Sequence, residues 1–188
     1  MGRWQPDARA RLQQAALDLY GGRGYEETTV AEIAERAGLT KRTFFRYFPD
    51  KREVLFWGSE LLEQRMVAAI EAAPASASTL GLIGAALDAA GDRFEEVREF
   101  APLRRRIIAS SRELQERELI KSASLAAAMT GALGARGLGG TAAAIAAYSA
   151  ITLMHLSYEQ WADESCRQTF QEIAREALGQ LKEIVATG

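Results

Sequence analysis

Residues 28–51 read TTVAEIAERAGLTKRTFFRYFPDK, and this stretch decides the fold. Thr29 supplies an oxygen that caps a helix starting at Val30, and Glu32, three residues on, completes a capping box. Val30, Ile33, Ala34 and Ala37 recur at helical spacing, the stripe of a short second helix. Gly38 stops it. Thr40 caps a third helix from about Lys41 to Tyr47, and Pro49-Asp50 breaks the chain after it. Two short helices joined by a glycine turn are the layout of a helix-turn-helix.

At 100° per residue, with Phe44 placed inward, Thr40, Tyr47 and Phe48 fall within about 60° of it, while Arg42 and Arg46 point about 160° away. Thr43 and Phe45 sit on the flanks. One face anchors the helix; the other offers two guanidiniums and a hydroxyl. A helix lying in a major groove needs this split, because its outer face must present forked donors to guanine O6 and N7. A solvated arginine face on any short helix has the same spacing, so spacing by itself leaves the two readings level.

Outward from this stretch the pattern stays helical. A first helix runs from about Asp7 to Gly21: Pro6 and Asp7 suit its start, and Ala8, Leu12, Ala15, Ala16 and Leu19 form its core stripe. Pro49-Asp50 opens a long fourth helix reaching about Ala73. After a linker at 74–78, further helices are expected over about 79–98, from Pro102, and over about 113–135, 141–162 and 167–186. No alternating β-branched run occurs, so no sheet is expected. The fold class is all-α, about nine helices, with a three-helix head over residues 1–52 and a larger helical domain over 53–188.

Composition sets the outer bounds. The 188 residues are 48% apolar and 26% charged, with 23 Lys and Arg against 25 Asp and Glu, a net charge of −2. This is ordinary globular composition and excludes collagen, a disordered tail and a disulfide scaffold. The charge is uneven: residues 1–52 sum to +3 and the remainder to −5. A basic segment points to nucleic acid only in the company of a motif. With one cysteine, Cys166, and one histidine, His155, no intramolecular disulfide or thiolate metal site is available, and a catalytic triad would run through His155 alone. No cofactor or metal is expected. Met1 to Asp7 is polar and unlike a signal peptide, so a reducing, cytoplasmic setting is the default expectation. The charge-free stretch 137–158 is long enough to span a bilayer. Its many alanines, with Ser149, Thr152, His155 and Ser157, and its lack of Lys/Arg flanks read instead as a buried helix, apolar all round.

The residues of the opening stretch, extended back through Ala16-Leu17-Asp18-Leu19-Tyr20 and forward through Lys51 to Leu55, resemble the DNA-binding domain of the TetR family over about residues 8–60. The resemblance implies an all-α homodimeric transcription regulator, usually a repressor, whose head binds double-stranded DNA and whose C-terminal domain dimerises and binds a small effector. It implies that Thr29 contacts a phosphate, that Thr40, Lys41, Arg42, Thr43 and Arg46 lie on the recognition helix, that Tyr47 touches the backbone, and that Lys51 meets a phosphate at the start of the fourth helix. Two positions depart from the family pattern. Phe45 stands where Tyr is common and lacks the hydroxyl, so it is expected on a thymine methyl or a sugar. Arg42 stands where Gly is common and adds bulk and charge. Glu113 to Leu119, the alanine-rich eighth helix and Trp161 resemble actinobacterial members of the mycofactocin-regulator type.

The ligand pocket is expected among Phe94, Ile107, Ile108, Met129, Tyr148, Thr152 and His155, with Arg104 or Arg105 taking an acidic end. The ligand is expected to be largely apolar, because Arg136 is the one formal charge between residues 122 and 158. His155 reads first as a core histidine with a satisfied hydrogen bond, and second as a pocket contact. The fourth helix, from Lys51 to Met66 and Ile70, is the expected lever between ligand and DNA. Ala142, Ala143, Ala146 and Ala150, with Leu178 and Leu181, are the expected dimer surface, which makes the operator an inverted repeat. An enzyme would need a partner for His155, and none is evident. The remaining alternative is a helical interaction or small-molecule-binding module without specific DNA binding.

Overall fold

The computed structural model describes residues 7–186. Among them it contains ten α-helices, one 3₁₀ turn and no strand. Pro6 and the residues before it lie outside the described range; Asp7 does act as the first N-cap, its side chain accepting from the Arg9 N–H. The helices are α1 (Ala8–Arg23), α2 (Val30–Arg36), α3 (Lys41–Tyr47), α4 (Glu53–Phe56), α5 (Ser59–Ala72), α6 (Thr79–Glu95), α7 (Ala101–Ala109), α8 (Arg112–Ala135), α9 (Gly140–Trp161) and α10 (Phe170–Ala186).

The expected long fourth helix is two helices. Trp57 turns extended and Gly58 takes φ +92°, a left-handed value that costs a side chain but not glycine. A Cβ at Gly58 would also lie 2.7 Å from the Arg93 Nη2. A continuous lever from Lys51 to Met66 is therefore replaced by a chain broken at Gly58.

Two compact units arise. The first holds the chain up to Trp57 together with Leu103–Glu118; the second holds Gly58–Pro102 and the chain from Leu119 onward. Residues 103–118, expected in the larger domain, group with the first unit. Leu12, Ala16 and Tyr20 of α1, Ile33 and Ala34 of α2, and Phe44 and Phe48 around α3 share its core with Ile107, Ile108 and Leu114. Polar ties support this: Arg117 pairs with Glu53 at 2.5 Å, and the buried Ser111 hydroxyl donates to Glu26 Oε1 at 2.9 Å.

In the second unit α6 packs against α5, α9 and α10. Its core runs through Met66, Ile70, Ile83, Leu87, Met129, Leu133, Ala147, Ala150, Phe170 and Ile173. Arg136, the lone charge of its stretch, is spent on the C-terminal end of α5. Its guanidinium donates to the carbonyls of Ile70, Glu71, Ala73 and Pro74 at 2.6–3.0 Å, where helix carbonyls lack partners and a cation is favoured. Glu95 ties three segments by accepting from Trp161 Nε1 at 2.8 Å and the Phe170 N–H at 3.1 Å, and by pairing with Arg98.

Helix α9 is two-faced rather than buried all round. Ala143, Ala146 and Ala150 face inward, so these three are core residues and not contacts at an outer surface. The outward face carries Ile145, Tyr148, Thr152 and Leu156, with Ile145 64%, Tyr148 58% and Leu156 63% exposed. No helix among the described residues is long and apolar enough to cross a membrane.

Candidate nucleic-acid interface

The site is assembled from its caps. At the start of α2 the Thr29 hydroxyl accepts from the Glu32 N–H, and the Glu32 carboxylate accepts from the Thr29 N–H at 2.9 Å and the Thr29 hydroxyl at 2.6 Å. Arg23 adds an ion pair at 2.5 Å. The Arg23 hydrogen bond, with those from Thr29, holds the Glu32 carboxyl down at about 2. Between α2 and α3, Gly38 sits at φ +64° in the turn, and Arg11 of α1 donates to the Ala37 carbonyl. Thr40 then caps α3: it accepts from the Thr43 N–H at 3.1 Å, and the two hydroxyls lie 3.0 Å apart.

These constraints orient α3 as its spacing predicts. Phe44 is fully buried and Phe48 lies beside it in the core. Lys41, Arg42, Phe45 and Arg46 are exposed. Phe45 is 55% exposed and meets Phe44 edge-on at 5.5 Å, so its ring is braced by the core while presented to solvent. Thr40, placed inward by the helical wheel, is exposed, because as N-cap it stands outside the helix.

Lys51 does different work from that expected. Its ammonium donates to the carbonyls of Tyr25 at 2.9 Å, Thr28 at 3.1 Å and Glu26 at 3.4 Å, and lies 4.2 Å from the Tyr25 ring centroid. The Tyr20 hydroxyl donates to the Lys51 carbonyl at 2.7 Å. Lys51 therefore staples the loop entering α2, and its three donors are used within the protein rather than aimed at a phosphate. Burial pushes the Tyr20 and Tyr25 hydroxyls well above the usual phenol range, so both stay neutral.

Arg46 is also engaged: its Nη2 donates to the Tyr47 hydroxyl at 3.2 Å and its guanidinium lies 4.9 Å from that ring. Arg9 and Trp57 join the site as well. The Arg9 guanidinium lies 5.3 Å from the Tyr47 ring and 5.5 Å from the Trp57 ring. No spacing rule signals this, because α1, α3 and the residue after α4 meet only in the folded unit.

The expected ligand residues are divided between the two units. Ile107 and Ile108 are core residues of the first unit. Arg104 donates to the Leu55 carbonyl, pairs with Glu118 at 3.2 Å and lies over Phe56; its charge is committed. In the second unit Met129 is in the core, and Phe94 stacks with Tyr158, Trp161 and Phe170. His155 Nε2 meets the Ser122 hydroxyl at 3.0 Å, a satisfied ring at half burial. Tyr148 and Thr152 are exposed, and the Thr152 hydroxyl donates to its own helix at the Tyr148 carbonyl. The helical period places these residues on α9, but which turn faces outward is a tertiary fact.

Residues 12–56 match the family described as bacterial regulatory proteins, tetR family. A stretch of 81 residues is 38% identical to the HTH-type transcriptional regulator TcmR of Streptomyces glaucescens, covering 43% of this chain and 36% of that protein. The fold resembles a TetR-family transcriptional regulator from Syntrophomonas wolfei (TM-score 0.68, 16% identity, 97% of this chain and 96% of that one). It also resembles Thermus thermophilus FadR, a TetR-family repressor solved with lauroyl-CoA (TM-score 0.54, 20% identity, 93% of each chain). At these identities the structures speak to the fold alone, while the family match falls on residues 12–56. The two-faced α3 and its cap-defined setting lie within residues 12–56, the part of the chain that is similar to the tetR family of bacterial regulatory proteins.

Proposed function

We propose that the protein is a repressor that binds an inverted-repeat operator as a homodimer in the cytoplasm and is released by a small, largely apolar ligand. The observation that carries the reading is the outer face of α3. Lys41, Arg42 and Phe45 stand exposed in front of the buried Phe44 and Phe48, a rigid helix with forked donors and a ring on one side. Thr43, at the first turn, adds a hydroxyl. Thr29, Tyr47 and Arg46 border this face; Lys51 supports it from behind. The apolar outer stripe of α9, Ile145, Tyr148 and Leu156, supports a dimer surface, since so continuous a patch favours an interface. Thr152 belongs to that stripe. This leaves Phe94, Met129 and His155 as the proposed ligand-side residues. The resemblance of residues 113–119 and Trp161 supports grouping the C-terminal part with the mycofactocin-regulator type.

A gel shift on the DNA upstream of the gene, repeated across salt concentrations, tests this. Affinity is expected to fall by about a thousandfold or more between 50 and 200 mM salt, as counterion release requires of a protein making six or more phosphate contacts. Binding that is absent, or indifferent to salt, would favour an interaction module instead.

A further inference from the structure

Resting on the DNA-binding reading, we infer that Arg9 and Arg46 form one clamp for the DNA sugar-phosphate backbone, built around the ring of Tyr47, and that Arg46 is not a base-reading residue. Both guanidinium carbons lie within about 5 Å of the same ring: Arg46 at 4.9 Å and Arg9 at 5.3 Å. Trp57 holds Arg9 from a second side at 5.5 Å. Two like charges gathered on one aromatic ring repel each other unless an anion joins them. Among the described residues neither guanidinium has a carboxylate partner. The Arg9 Nε is shut off from water with no acceptor at all. The arginine is therefore held beside two rings by cation–π contact, while its charge has no carboxylate partner among the described residues.

The contrast with neighbouring arginines is informative. Arg36 pairs with Asp18, Arg23 with Glu32, and Arg52 with Asp50 and Glu113. These three arginines of the first unit are paired with carboxylates, whereas Arg9 and Arg46, at the C-terminal end of α3, have no such pair among the described residues. The Arg46 guanidinium, drawn back onto Tyr47, is spent at that end. Arg42, exposed and in no ion pair among the described residues, keeps the base-reading role. An anion of the spacing and charge of a nucleic-acid backbone suits two planar forks set on one ring, because guanidiniums recognise phosphate through paired N–H donors.

The test uses the full-length protein, a pool of randomised 40-base-pair duplexes and one fixed unrelated duplex. Binding is measured across salt, and the bound pool is sequenced. Arg9→Gln and Arg46→Gln are each expected to lower affinity about tenfold on selected and unrelated duplexes alike, to reduce the salt slope by about one, and to leave the selected sequence unchanged. Arg42→Gln should instead alter the selected sequence at one base pair per half-site. Arg9→Lys, which keeps the charge, should restore the slope. The proposal is overturned if Arg46→Gln changes base preference. It is equally overturned if Arg9→Gln and Arg9→Lys behave alike and merely lower the melting temperature, since Arg9 would then be a packing residue. Failure of the wild-type protein to bind any duplex would overturn the DNA-binding reading itself, and the clamp with it; binding with unchanged slopes in the variants overturns the clamp alone.

Discussion

The arginines of the two units are used differently. In the second unit several are used by the fold: Arg136 closes the end of α5, Arg98 holds the carbonyls of Cys166 and Gln168, and Arg65 pairs with Glu96. In the first unit some arginines tie the helices together, while Lys41, Arg42, Arg46 and Arg9 stay unpaired by carboxylates among the described residues. A solvated surface would scatter such charges and pair many of them. Here they gather on and beside α3, so the excess of positive charge is set where a polyanion would relieve it. The unit's net charge alone is too small to have shown this; its placement does.

The contrast is broken most severely through the core behind α3. Phe44→Ala should destabilise the first unit by about 3–5 kcal/mol, read as accelerated hydrogen exchange of α1 and α2 amides. Phe45→Ala, on the exposed side, should leave that exchange nearly unchanged while weakening DNA binding. A second-unit arginine should behave in the opposite way to a DNA-facing one. Arg136→Met leaves the end carbonyls of α5 without their donor and should cost about 1–3 kcal/mol of second-unit stability, measured by denaturant titration, with an unaltered salt slope for DNA.

Lys51 sharpens the distinction, because it is a cation of the head used for the fold. Lys51→Ala should cost about 1–2 kcal/mol of first-unit stability through three lost carbonyl contacts. Its salt slope should match the wild type, whereas a phosphate contact would lower the slope by about one.

The smallest expected effect concerns acid. Glu32 is held near 2 by Arg23 and Thr29, below its ordinary 4.5. A depressed carboxyl contributes stability that is present above about pH 4.5 and is lost as pH falls toward 2. Glu32→Gln should therefore flatten the acid limb of first-unit stability between pH 4.5 and 2 and leave the profile above it parallel. Equal acid limbs in both proteins would mean that the capping box carries no proton linkage.

What could be read from residues followed how local its cause was. The caps Thr29 and Thr40, the turn at Gly38 and the inward Phe44 depend on neighbours within a few positions, and all appear where spacing puts them. The break at Gly58 was also local, a glycine inside an apolar run, but the long stripe on either side masked it. Lys51, Arg9 and Trp57 gain their roles from residues tens of positions away. The same is true of α9. Its alanines and its large residues both repeat at helical period, and only packing against α6 and α10 decides that Ala143, Ala146 and Ala150 turn inward while Ile145, Tyr148 and Leu156 turn out. The same holds for Ile107 and Ile108, whose place in the core of the first unit depends on α1–α4 and not on their own helix.

The central claim is that the outer face of α3 reads DNA, and selection from a randomised duplex pool by the wild-type protein and Arg42→Ala in parallel tests it most directly. The account predicts that the wild type enriches an inverted repeat with half-sites about one helical turn, roughly 34 Å, or a little more apart. Arg42→Ala should lose preference at one base pair in each half-site, at a cost of about 1–3 kcal/mol on the wild-type sequence. An enriched sequence identical for both proteins, or no enrichment by either, would contradict it.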